Sequence, residues 1–269
     1  MRSFDEPSNR QWPDFAETWI ENWSPGLSKL SYPHIGIQLD ECEAHSLGRL
    51  NGVHSHCFNP SLETHLESLE EKLNKAIAHF PKGAFIRLGS RSPKDTHKGI
   101  ITRCKAMDGK QAIQLLTSGS ARVSYDLRVA IKANYPPWVF IRQWQEISPD
   151  REFRCFMQHH QLIGVSQYFH KTCFPRLSLE LRREALSHTL WEFFPLFSKY
   201  CHLADVVFDV EISVDYNPKV TLIEINPFNE LTDPCPAIPG QYFNHIIHLV
   251  GMIRQKYDVA CAEYRLECP

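Results

Sequence analysis

Two apolar runs late in the chain set the strongest limit on its fold. Val206 to Val214 and Val220 to Asn226 are rich in Val, Ile, Leu and Phe, and Asp215-Tyr216-Asn217-Pro218 separates them with turn-forming residues. This pattern predicts an antiparallel hairpin. Three polar residues interrupt it. Asp209 stands within Val206-Val207-Phe208-Asp209-Val210, and Glu224 and Asn226 stand within Leu222-Ile223-Glu224-Ile225-Asn226-Pro227. Strand residues two apart share a face, so Glu224 and Asn226 project together. With residues 215–218 as the loop, Val214 pairs with Lys219, and the same register sets Asp209 opposite Glu224. Directly opposed Cβ atoms lie about 4.5–5.5 Å apart. Two carboxylates that close repel unless positive charge lies with them. Hard oxygen ligands of this kind suit Mg²⁺, which takes one or two carboxylates plus substrate phosphates. The plainer reading, a solvent-facing strand whose acids pair with Lys or Arg, fits poorly with the apolar residues on either side.

The remaining periodicities supply a frame for this hairpin. Thr64 and Glu67 have capping-box spacing, and Leu66, Leu69, Leu73, Ile77 and Phe80 recur at three and four, predicting a helix that Pro81-Lys82-Gly83 stops. Ala84 to Leu88 reads as a strand, Gly109 to Leu116 as a short helix ended by Ser118-Gly119-Ser120, and Trp138 to Trp144 as another strand. Glu152 to Met157 and Leu162 to Gln167 form a second hairpin turning at His159-His160. A long helix is expected between Ser178 and Tyr200, disturbed by Pro195, and a closing helix from Tyr242 to Tyr257. Strand pairs with interspersed helices give an α+β class with mainly antiparallel sheets. The first 60 residues, rich in Trp, Pro and Asn, read as a loop-rich N-terminal layer, 1–60.

Composition removes several alternatives. Hydrophobic residues at 43% of 269 supply a full core and exclude a mainly disordered chain. Twenty-nine basic against 31 acidic residues give a net charge of -2, so no whole-chain field favours nucleic acid or acidic membranes. No window approaches the 18 apolar residues of a membrane span, and Met1 to Pro7 lacks the apolar core of a signal peptide. Nine scattered cysteines without C-x-x-C are expected to be reduced thiols in a cytoplasmic protein. His54, His56 and Cys57 raise the question of zinc, but with no second ligand pair they read as loop composition.

Two further segments carry chemistry. Arg87 to Lys105 holds six Lys/Arg (87, 91, 94, 98, 103, 105) and one acid, Asp95. Its centre, Gly89-Ser90-Arg91-Ser92-Pro93-Lys94-Asp95, follows a strand, where small residues let backbone N–H groups approach an anion. Walker A spacing is absent, and a solvated basic turn is the plain alternative. Ile141-Arg142-Gln143-Trp144 ends an apolar strand that could offer backbone groups to an adenine edge, with Trp144 as a wall. Arg154, in Arg151-Glu152-Phe153-Arg154, taken alone reads as a salt-bridge partner of a nearby acid, and Trp144 as core.

In this order the segments resemble the ATP-grasp fold, and more narrowly the cell division cycle protein 123 family, which includes eukaryotic chaperones for assembling translation initiation factor 2. The resemblance rests on Phe85-Ile86-Arg87-Leu88, Ser92-Pro93-Lys94-Asp95, Arg142-Gln143-Trp144, Glu152-Phe153-Arg154-Cys155-Phe156, Leu162-Ile163-Gly164-Val165-Ser166-Gln167, Phe208-Asp209-Val210 and Leu222 to Phe228, with Thr232-Asp233 after them. It implies two lobes, 61–140 with the basic phosphate loop and 141–269 with the hinge, the metal-binding hairpin and the closing helix. It implies that Mg-ATP is the cofactor. Arg87, Ser92, Lys94 and Arg154 would meet the nucleotide phosphates, Arg142, Gln143 and Trp144 the adenine, and Asp209, Glu224 and Asn226 the Mg²⁺, with Glu224 also facing the nucleotide. As an enzyme the chain would use Arg154 and Arg91 as catalytic cations, Arg91 meeting the γ-phosphate or an incoming carboxylate, with a plain surface Arg as the alternative reading of Arg91.

The chain departs from the chaperones at Gly89-Ser90-Arg91-Ser92, at Tyr168-Phe169 and at Pro234 to Gly240, surfaces where a partner would bind. Two functions follow. The first is an ATP-dependent ligase or phosphotransferase that activates a carboxylate, metabolite or protein, for attack by a nucleophile. The second is a nucleotide-dependent assembly chaperone whose client is the initiation factor's γ subunit. On either reading, Asp209→Ala or Glu224→Ala is expected to remove Mg-dependent nucleotide binding and leave the fold intact.

Overall fold

The computed structural model describes residues 15–62, 66–169, 172, 174–213, 217–228 and 232. In chain order its main elements are α1 (Pro25–Lys29), β1 (His34–Gln38), α2 (Glu41–Asn51), α3 (Glu67–Ile77), β2 (Ala84–Leu88), α4 (His97–Thr102), β3 (Lys105–Ala106), α5 (Gly109–Leu116), α6 (Ala121–Lys132), β4 (Trp138–Gln143), β5 (Glu152–Gln158), β6 (Gln161–Gln167), α7 (Glu180–Tyr200), β7 (Val206–Ser213) and β8 (Lys219–Pro227). The strands form two four-stranded antiparallel sheets, ordered β1-β4-β2-β3 and β6-β5-β7-β8. This is the α+β class expected. Each sheet belongs to its own unit, one made of the chain through Asn22 and Pro33–Gln145, the other of Trp23–Tyr32 and the chain from Glu146 onward.

In the first unit, alternation along the strands sends Ile86, Leu88, Val139 and Ile141 to one face, where they pack with Leu47 of α2, Leu69 and Leu73 of α3, Leu115 and Leu116 of α5 and Leu127 of α6. Each such buried Leu or Ile contributes about 1.5–3 kcal/mol. The other face carries two registered rows, His34–Arg142–Phe85 and Gly36–Phe140–Arg87. Gly36 packs closely there, because a Cβ would lie 3.0 Å from the Phe140 ring. The segment read as a loop-rich layer therefore supplies a strand and also α2, whose start is fixed by a capping box between Asp40 and Glu43. Helix α6 was not expected. Ser118-Gly119-Ser120 both ends α5 and starts α6, with the Ser120 side chain accepting the Val123 N–H.

In the second unit, β5 and β6 turn through His159 and His160, as expected, both at positive φ (50° and 56°). That twist suits a two-residue hairpin. The apolar face of this sheet meets α7, where the Phe197 ring stacks on Phe208 at 3.9 Å. Helix α7 runs through Pro195 as one element, rather than breaking there. Residues 23–32 join this unit because they cover the edge of β8. Leu222 N–H donates to the Leu30 carbonyl at 2.8 Å, and Ser31 Oγ donates to the Leu222 carbonyl at 2.7 Å. Thr64, the turn at 214–216 and the closing helix expected at 242–257 lie outside the described residues.

Candidate functional site

The second sheet builds a polar row across all four strands. Ser166 of β6 pairs with Arg154 of β5, Arg154 with Asp209 of β7, and Asp209 with Glu224 of β8. Asp209 and Arg154 are 1% and 5% exposed. Arg154 grips the carboxylate with both arms, Nε donating to Oδ1 at 2.7 Å and Nη2 to Oδ2 at 2.8 Å. Such a planar two-point pair fixes geometry as well as charge. The Arg154 guanidinium also lies 4.9 Å from the centre of the Tyr168 ring.

A bulge in β8 creates the row. From Lys219 to Leu222 the strand pairs with Ser213 to Val210, one residue out of step with the expected Val214–Lys219 register. An irregularity between Asp209 and Val210 leaves Ile223 without a registered partner and brings Glu224 opposite Asp209, Ile225 opposite Phe208 and Asn226 opposite Val207. Leu222 and Glu224, two apart, consequently face opposite sides: Leu222 is fully buried opposite Val210, and Glu224 joins the polar face. Without the bulge Glu224 would point into the apolar core. The Asn226 amide Nδ2 lies 3.5 Å from Glu224 Oε1, so these two side chains adjoin. Asp209, Glu224 and the Asn226 amide are a set of hard oxygen donors held on rigid strands, and this chemistry fits Mg²⁺. Among the described residues no group of three His, Cys, Asp or Glu is placed to hold a metal, and that includes His54, His56 and Cys57.

The basic loop of the first unit is built differently. Arg87, 2% exposed, turns back on its own chain: Nε donates to the Leu88 carbonyl at 3.0 Å and Nη2 to the Ser90 carbonyl at 2.7 Å. Arg91 makes a two-point pair with Asp126 of α6, Nε to Oδ2 at 2.9 Å, and Ser90 Oγ donates to the same carboxylate at 2.5 Å. Asp95 receives the Ser120 hydroxyl at 2.6 Å and the Arg122 N–H at 3.2 Å, at the start of α6. Ser92 is buried and Lys94 is exposed. Glu21 presses against Gly89, where a Cβ would fall 1.7 Å from its Oε2. Burial pushes the Glu21 carboxyl up to about 7, although a hydrogen bond from Tyr135 and the charge of Arg87 pull it down.

The adenine-facing segment is less open than its sequence suggests. β4 is an interior strand, because β1 pairs along it from His34–Arg142 to Gln38–Trp138. Gln143 N–H donates to the Pro33 carbonyl at 2.8 Å and Trp144 N–H to the Gly83 carbonyl at 3.2 Å. Neither amide is left for an adenine edge. Arg142 is 3% exposed, and Lys105 Nζ sits 4.3 Å from the centre of the Trp144 ring.

Structure thus brings Arg154, Asp209, Glu224 and Asn226 together in one unit, and in the other sets Arg87 at the end of β2 with Arg91, Ser92 and Lys94 in the loop that follows. Three contributors escaped the sequence reading. Asp126 was hidden with its unrecognised helix, Glu21 in a segment read as loops, and Tyr168 was noticed only as a departure from the family pattern. Burial pushes the thiols of Cys104 and Cys201 up to about 11 and that of Cys155 well above its ordinary value, so none is a thiolate nucleophile at neutral pH. Among the described residues no helix is long and apolar enough to cross a membrane.

Comparison with known proteins matches this geometry to a family. The D123 family model matches residues 51–236, a stretch that holds the basic loop and the polar row. A Translation initiation factor eIF2 assembly protein from Xenopus laevis is 28% identical over 170 residues, covering 60% of this chain and 49% of that protein. One from Candida albicans is 26% identical over 191 residues, covering 66% and 54%. The chain spans about half the length of the curated relatives it matches. Cdc123 from Schizosaccharomyces pombe has the same fold, with a TM-score of 0.65 at 23% identity, covering 81% of this chain and 85% of that one.

Proposed function

The chain belongs to the D123 family, and from this we propose that it is a cytoplasmic, nucleotide-dependent assembly factor. It binds Mg-ATP and acts on a protein client of the translation initiation factor 2 type, its γ subunit first. The observation that carries the reading is the row Arg154–Asp209–Glu224 within the matched stretch, a compensated set of charges of the kind that a phosphate and a divalent cation would engage. Matched relatives named for assembly favour this over the carboxylate-activating ligase expected first.

The chain's own residues would divide the work. Asp209, Glu224 and Asn226 would hold Mg²⁺, which when bound neutralises phosphate charge. Arg154 would meet a phosphate oxygen, and in the other unit the loop of residues 89–95 offers Lys94 and its backbone to an anion. Arg87 and Arg91 keep that loop in shape through the Leu88 and Ser90 carbonyls and through Asp126. Positioning and charge neutralisation are what phosphate recognition chiefly needs. The test is pull-down with the initiation factor's γ subunit, with and without Mg-ATP. Binding strengthened by Mg-ATP is expected. No binding under either condition, with steady ADP release on adding amines and acids, would contradict the assembly reading.

A further inference from the structure

Charge is unevenly placed along the chain. Residues 82–132 hold eleven Lys or Arg against three Asp and no Glu, within a chain of net charge -2. All three acids are engaged inside the first unit. Asp95 accepts from Ser120 and the Arg122 N–H, Asp108 from the Gln111 N–H at the start of α5, and Asp126 from Ser90 and Arg91. On α4 and the start of α5 this positive field surrounds apolar side chains. Ile100 and Ile101 of α4 are 64% and 67% exposed, and Met107, between β3 and α5, is 51% exposed. Arg103 and Lys110 are exposed beside them in sequence. Both helices pack on β3, and Lys98 Nζ of α4 donates to Gln114 Oε1 of α5 at 2.5 Å, so the two form one surface.

The fold turns the isoleucines outward at some cost. Gly99 of α4 packs on the Pro93 carbonyl with no room for a Cβ, which sets that side of the helix inward. The helix then ends through Arg103 and Cys104, both at positive φ (51° and 55°), a conformation disfavoured for residues that carry a side chain. Backbone bonds hold it there: the Cys104 N–H donates to the Gly99 carbonyl and the Ile86 N–H to the Cys104 carbonyl, each at 2.9 Å. A surface helix ordinarily turns polar residues to solvent, and isoleucine is a weak helix former. Neither packing nor propensity accounts for the pair.

We propose that this surface docks an acidic segment of a partner protein, with apolar side chains of that segment seated on Ile100, Ile101 and Met107 and its carboxylates met by Lys98, Arg103 and Lys110. Charge complementarity sets the sign of the partner. The isoleucine pair calls for apolar side chains as well, which a protein segment has and a bare polyanion lacks. A bilayer is the poorer occupant, since membrane binding scales with buried apolar area, and three apolar side chains around a six-residue helix bury little. The surface belongs to the first unit, and the proposal is independent of how the polar row of the second is used.

Peptide selection reads the partner's chemistry without presuming its identity. A random peptide library displayed on phage is panned on the full chain. Enriched peptides are then synthesised and measured by fluorescence anisotropy against wild type, Ile100→Ser/Ile101→Ser and Lys98→Glu/Lys110→Glu. The two variants keep wild-type melting temperatures if the positions are surface ones, and each stands in for the other should one fold poorly. Enriched peptides are expected to combine Asp or Glu with Leu, Ile or Phe, and to bind each variant about tenfold more weakly than wild type. Their affinity is also expected to fall as salt is raised from about 50 to about 300 mM. Enriched peptides without an acidic bias, or acidic ones that wild type and both variants bind equally, overturn the docking surface. Failure to enrich any peptide overturns it as well, and retention of wild type but not of the variants on phosphatidylserine vesicles would then assign the surface to a membrane.

Discussion

The basic loop and the polar row both concentrate charge, yet they use it in opposite ways. In the loop, arginine is spent on architecture: Arg87 ties down two carbonyls of its own turn, and Arg91 is clamped to Asp126 on the neighbouring helix. Lys94 of the same loop is exposed. In the row, Arg154 and Asp209 compensate each other across a sheet, at a depth where losing either partner is costly. Charge in a loop has to be organised by neighbours, whereas charge in a sheet is placed by register. The two regions should therefore fail differently.

The largest effect belongs to the row. Asp209→Ala leaves Arg154 buried without that partner and should cost about 3–5 kcal/mol in denaturant unfolding, in addition to abolishing Mg-dependent nucleotide binding. This revises the expectation that the substitution leaves the fold intact. A loss under 1 kcal/mol would mean the pair is not buried as described.

Next is the corner beneath the loop. Burial raises the Glu21 carboxyl to about 7 from its ordinary 4.5, so the folded chain holds that proton more tightly than the unfolded chain. Its contribution to stability is full below about pH 4.5 and is lost as pH rises to about 7. Allowing for partial exposure, that is worth about 2 kcal/mol. Glu21→Gln should remove the dependence, and melting of both proteins at pH 5 and pH 8 should show the variant gaining at pH 8. A gap that does not change with pH would refute it.

Asp126→Asn should cost about 1–2 kcal/mol, since it weakens the bonds from Ser90 and Arg91. The Mg²⁺ dependence of nucleotide binding should stay, because the row is untouched. Were the Mg²⁺ dependence lost instead, the division of labour between loop and row would be wrong. Glu224→Gln should have the smallest effect on stability, about 0.5 kcal/mol or less in chemical unfolding, and yet remove the Mg²⁺ dependence.

Much of the frame was legible because period and turn chemistry are local. Helix α5, β2, β4 and the His159–His160 turn all follow from neighbours in sequence. The pairing of Asp209 with Glu224 was also legible, though by a register that is one residue off at the turn and corrected by the bulge at Ile223. Sequence alternation alone does not reveal a bulge, because Leu222 and Glu224 look as if they share a face. Long-range partners were harder still. Nothing in the chain announces that β1 would cover β4, that Asp126 would clamp Arg91, or that Leu30 and Ser31 would close the edge of β8, since each joins segments 35 to 192 positions apart only once the fold exists.

One calorimetric titration addresses the central claim directly: ATP into wild type and into Glu224→Gln, each with and without Mg²⁺. The account predicts binding by wild type that requires Mg²⁺ and is lost in the variant, with the variant's melting temperature unchanged. Nucleotide binding that is indifferent both to Mg²⁺ and to Glu224, or no binding by wild type under any condition, would contradict it.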